Sequence, residues 1–68
     1  MKFYQIKITG ILSLYGTISE KYSTVIYKDY ESAYSHIENF REYCLSSLLE
    51  EDVLSEILDV DTIELILY

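Results

Sequence analysis

The chain has no proline, no tryptophan, two glycines, one cysteine and one histidine in 68 residues. Each scarcity removes a class of explanation. Cys44 alone cannot close an internal disulfide and suits a reducing compartment. Gly10 and Gly16 cannot supply a glycine-rich phosphate cradle. No stretch reaches the roughly 18 apolar residues that a membrane span needs. Met1-Lys2-Phe3-Tyr4 enters an alternating pattern directly, without the apolar run and small-residue cleavage site of a secretory leader. A cytoplasmic location is therefore expected.

Catalysis has little to draw on. His36 and Cys44 fall in one helical stretch, eight residues apart. At 1.5 Å per residue that is about 12 Å, whereas a nucleophile and its base must approach to about 3 Å. His36 lies off the apolar stripe and reads as solvated. Cys44 lies on it and reads as a buried small hydrophobe. Carboxylates are plentiful, but acid–base work needs them buried in a cleft. A domain this small rarely encloses about 300 Å³. Asp59, Asp61 and Glu64 begin like a calcium loop, yet its fifth and sixth positions are Ile63 and Glu64 instead of a ligand and a glycine. No enzyme activity, metal or cofactor is expected.

Bases are scarce too, and their placement is uneven. Twelve acids oppose five bases, for a net charge of −7. Residues 1–41 hold all five bases and four acids (net +1), while residues 42–68 hold eight acids and no base (net −8). Direct binding to nucleic acid or anionic lipid requires a cationic footprint, which this distribution denies. It favours a basic partner, against the simpler alternative that the acids only keep a tyrosine-rich domain in solution.

Half the residues are hydrophobic, enough for a real core. Chains of about 60 residues bury only about 60% of their unfolded surface, so dimerisation would help stability. From Lys2 to Thr9 apolar and polar residues alternate as in a half-buried strand, with Gly10 marking a bulge and a continuation to Leu14. After a turn at Tyr15 to Ser19, the β-branched and aromatic run Glu20 to Lys28 predicts a second, hairpin-paired strand. Asp29 is a suitable N-cap. Tyr30, Ala33, Tyr34, Ile37, Phe40, Cys44, Leu45 and Leu48 follow at helical spacing. Ser47 and Glu50 fit a capping box, predicting a break or kink and then a second helix over 48–58 with Leu49, Val53, Leu54, Ile57 and Leu58 inside, one long kinked helix being the alternative. Residues 60–68 predict a third strand. The whole is one α+β domain: a three-stranded antiparallel sheet, β-β-α-α-β in spatial order 2-1-3, with helices on one face. Several tyrosines are expected on the other face, where a second copy could cover them.

On the second predicted helix, Asp52, Glu56 and Asp59 fall at i, i+4 and i+7, opposite its apolar residues, with Glu51 beside them. Same-face neighbours on a helix are about 5–6 Å apart, on the scale of successive phosphates. Glu38, Glu42, Asp61 and Glu64 could extend this acidic surface. Tyr15, Tyr43 and Tyr68 read as exposed, and exposed tyrosine beside carboxylate suits a protein interface.

In size, acidity, hairpin-plus-helix pattern and Ile/Tyr/Lys-rich usage, the chain resembles the short early proteins of phages that infect low-GC Gram-positive bacteria. Several of those mimic DNA and disable host DNA-binding proteins. The resemblance implies a host bacterial cytoplasm and a carboxylate surface seated in a host protein's DNA groove. The nucleoid protein HU, with exposed basic arms and a saddle, is the first expected target. A self-assembling structural module and an antidote to a basic nuclease are the alternatives.

Overall fold

A computed structural model describes residues 1–46 and 52–66. Strand β1 (Lys2–Leu12) lies between β2 (Ile18–Tyr22) and β3 (Leu54–Ile66), antiparallel to both. Helices α1 (Tyr30–Ser35) and α2 (Ile37–Leu45) pack on one sheet face. The α+β class, the antiparallel sheet and the order 2-1-3 are as expected.

The inner face of β1 explains why the helices sit where they do. Ile6 and Ile8 are fully buried and form the core with Ala33, Cys44 and Leu54. Tyr4, Leu12, Tyr27, Ile37, Phe40, Ile57 and Val60 pack around them. Asp29 caps α1 as expected, its Oδ1 accepting the Ser32 N–H at 2.8 Å. That bond holds its carboxyl below the ordinary range.

Four expectations need correction. The element order β-β-α-α-β is right, but both helices lie inside the single first helix that the spacing predicts. The break falls at His36, where the Ser32 carbonyl meets Nδ1 at 2.7 Å and the Ser35 hydroxyl at 2.9 Å. These side chains compete with the backbone ladder locally. Tyr30, Tyr34 and Leu45 are consequently exposed, although they share the predicted apolar stripe.

The second helix predicted over 48–58 is not formed where the chain is described, because β3 already begins at Leu54. The capping box at Ser47 and Glu50, with Leu48, Leu49 and Glu51, lies outside the described residues, as do Leu67 and Tyr68 of the predicted third strand. Two register shifts explain the misreading. Leu12, Gly10, Ile8 and Ile6 oppose Leu54, Ile57, Val60 and Thr62. β1 advances by two residues at each step, whereas β3 advances by three, three and then two. Ser55 and Leu58 are the surplus residues, and the Ser55 hydroxyl donates to the Ile11 carbonyl at 3.3 Å. A twice-bulged strand has a spacing near that of a helix.

The second strand is also shorter than predicted. It leaves the ladder at Ser23, which is buried. The Ser23 hydroxyl accepts the Ile6 N–H at 3.1 Å and donates to the Val25 carbonyl at 2.9 Å. Thr24 to Ile26 bow outward, and Tyr27 rejoins by exchanging backbone bonds with Tyr4. Finally, among the described residues, Tyr22 is the only strand tyrosine on the uncovered face. Tyr4 and Tyr27 pack against the core.

Candidate functional site

The uncovered sheet face is built by alternation. Since Ile6 and Ile8 point inward, Phe3, Gln5, Lys7, Thr9 and Ile11 point outward. Their partners on β3 are Leu65, Ile63, Asp61, Asp59 and Glu56. Glu56, Asp59 and Asp61 therefore occupy three successive outward positions. The bulge at Leu58 makes this possible, since Glu56 and Asp59 are three residues apart in sequence yet face neighbouring rungs. Two residues of strand span about 6.6–6.8 Å, the step from Asp59 to Asp61, while the surplus Leu58 lies between Glu56 and Asp59.

Of the acidic surface expected from the sequence, part survives. Glu56 and Asp59 share one face, but on a strand and with Asp61 as their neighbour. Asp52 sits in a turn and pairs with Lys21 at 3.0 Å. Glu64 lies on the helix-side face and pairs with Lys2 at 3.1 Å. Glu38 pairs with Arg41 at 3.3 Å, and Glu42 is exposed on α2. Glu51 is outside the described residues. The seven described positions do not form one surface: Glu56, Asp59 and Asp61 lie on the uncovered face, Glu64 on the helix side, Glu38 and Glu42 on α2, and Asp52 in a turn.

The bases are mostly engaged. Lys7, in the middle of the uncovered face, reaches Glu20 at 3.7 Å. Glu20 also accepts the Tyr22 phenol at 2.7 Å; that bond and Lys7 lower the Glu20 carboxyl, and the bond to Glu20 raises the phenol. Glu64 raises the Lys2 ammonium. Among the described residues, Glu56, Asp59 and Asp61 are in no ion pair. Asp61 instead accepts the Thr62 N–H at 2.8 Å.

A second feature escaped the sequence reading. A cleft of about 490 Å³ opens between the end of β2, the Ser23–Tyr27 bow and α2, larger than expected for so small a domain. Tyr27, stacked on His36 at 5.1 Å, and Phe40, stacked on Tyr43 at 6.3 Å, contribute rings to it. Lys21 and Asp52 lie at its rim. Its signal in the sequence was Ser23, a small polar residue that interrupts a β-branched run and releases the strand. Cys44 also lines the cleft, but burial pushes its thiol up, and Lys21 offsets this only in part.

No helix among the described residues is long and apolar enough to cross a membrane. No group of three metal-binding side chains comes together among them either. No protein-family model, curated protein or solved structure matches the chain.

Proposed function

We propose that the chain is an acidic binding module that seats the carboxylates of β3 on the basic surface of a nucleic-acid-binding protein, where phosphates would otherwise lie. The single observation carrying this reading is the row Glu56, Asp59 and Asp61. It faces outward, and among the described residues its carboxylates are in no ion pair: Lys7, which lies opposite Asp61, is paired with Glu20. An ordinary solvated surface mixes both signs. β3 instead has four acids and no base. The contact is largely electrostatic, so affinity falls steeply with salt.

The test is competition with duplex DNA for purified nucleoid protein HU, read by fluorescence anisotropy. The wild type releases the DNA. The triple variant Glu56→Gln, Asp59→Asn, Asp61→Asn, with an unchanged circular dichroism spectrum, is expected to need about tenfold more protein or higher. Equal potency of the two proteins removes the carboxylate row from the function. Release of neither HU nor other basic nucleic-acid-binding proteins ends the phosphate-imitation reading.

Self-association is the second reading. Phe3, Ile63 and Leu65 lie at one end of the uncovered face and Ile11 and Ile18 at the other, with Ile18 70% exposed. The acidic row between those ends opposes face-to-face pairing of copies. Sedimentation at low and high salt separates the readings. Dimers that form only at high salt mark the apolar ends as the adhesive surface.

A further inference from the structure

β3 is an outer strand, and its hydrogen-bonding pattern identifies which groups point away from the sheet. Tyr4 exchanges both backbone bonds with Tyr27, and Ile6 bonds Ser23 through its carbonyl and its N–H. The even-numbered residues of β1 thus turn their backbone groups towards the β2 side. By the alternation of an antiparallel ladder, the odd-numbered residues serve β3. On β3 the partners of the even residues are Val60, Thr62, Glu64 and Ile66. Their N–H and C=O groups therefore face the outer edge.

The two halves of this edge are protected differently. The surplus residues Ser55 and Leu58 disrupt the half before Val60. Bulges of this kind make an edge hard to extend. From Val60 to Ile66 no register shift occurs. There, among the described residues, only the Thr62 N–H is occupied, by the Asp61 carboxylate. A row of outward donors and acceptors is a template for another strand.

We infer that the edge of β3 from Val60 to Ile66 takes an extended segment of a partner by strand addition. This inference rests on the reading of the chain as a binder of basic proteins and adds the mode of recognition. The occupant is set by charge and by side-chain alternation. Asp59 and Asp61 precede Ile63 and Leu65 on the uncovered face. An incoming antiparallel strand therefore meets them with apolar residues first and basic residues second at alternate positions. A second copy of this chain is the wrong occupant, because its β3 would bring four more acids and no base to within about 4.8 Å. An arriving ammonium or guanidinium draws the Asp61 carboxylate off the Thr62 N–H and so frees that donor for the new ladder.

The probe is the acetylated, amidated peptide Val-Thr-Val-Thr-Lys-Thr-Lys, with a version N-methylated at alternate residues on the edge that meets β3. Amide hydrogen exchange of the intact protein is followed by NMR. The unmethylated peptide is expected to slow exchange at Val60, Glu64 and Ile66 by about tenfold or more, without the same change at Ile63, already paired with β1. The methylated peptide should do neither. Equal, salt-sensitive binding of both peptides without new protection overturns strand addition and leaves the basic-partner reading standing. Lack of binding by either peptide, while the protein still displaces DNA from HU, has the same meaning. Protection of these amides in the free protein that rises with its concentration assigns the edge to a second copy and also overturns the inference.

Discussion

β1 has two neighbours, and they hold it in different ways. On one side β2 pairs over a short stretch, and then Ser23 substitutes its side chain for the ladder. On the other side β3 pairs along nearly all of β1 and absorbs two surplus residues on the way. Charges follow the same division. The β2 side is compensated, with Lys7 on Glu20 and Lys21 on Asp52. The outward row of β3 forms no ion pair among the described residues, although Lys7 lies opposite Asp61. The contrast teaches that the sheet is built from its β3 side, and that the β2 side is free to open a cleft.

The sharpest way to break this arrangement is at Gly10. A Cβ there would lie 2.5 Å from the Glu56 carbonyl oxygen and 2.8 Å from a Leu54 methyl. The first obstacle is backbone within the bulged ladder and cannot swing aside. Gly10→Ala is expected to cost about 2–4 kcal/mol in urea unfolding. A cost under about 1 kcal/mol would mean that the bulges hold the strands less closely than described.

On the β2 side, Ser23→Ala strands the buried Ile6 N–H. The expected cost is about 1–3 kcal/mol. Exchange should quicken first at Tyr4 and Tyr27, which close the bow, and not along β3. Uniform quickening across the sheet would show that the two sides of β1 are not separable.

The smallest effect is expected at Asp29, which belongs to neither flank. Its carboxyl is lowered in the folded state by the Ser32 N–H. The stability it contributes is therefore complete above the ordinary aspartate range and is lost as pH falls through the lowered value. Asp29→Ala should be slightly less stable than wild type near neutral pH and indistinguishable from it in strong acid. A gap that persists in strong acid would assign the cap's value to something other than its charge.

The fold class was legible because β1 alternates regularly and because Asp29 and the residues after it carry ordinary helix signals. The site was only half legible. Glu56 and Asp59 stood out as one face, opposite Leu54 and Ile57, and that separation is real. The element was wrong, because a bulge every third residue and a helical turn sort side chains almost identically over a short segment. Only pairing with β1, which is distant in sequence, distinguishes them. Asp52 was misplaced because the chain turns there before β3 begins, whereas Glu64 lies on the third strand as expected and alternates to the helix side. The break at His36 and the bow after Ser23 were not legible, since each depends on one polar side chain finding a backbone partner.

The surplus residues of β3 carry one more consequence. Ser55 and Leu58 have no opposite number on β1. Deleting either would leave every remaining cross-strand pair in place, whereas deleting Thr62 would slide the flanking segment and invert its two faces. Shortened versions of this chain should therefore survive when the missing codon is at Ser55 or Leu58, with a flatter sheet as the trace of the loss.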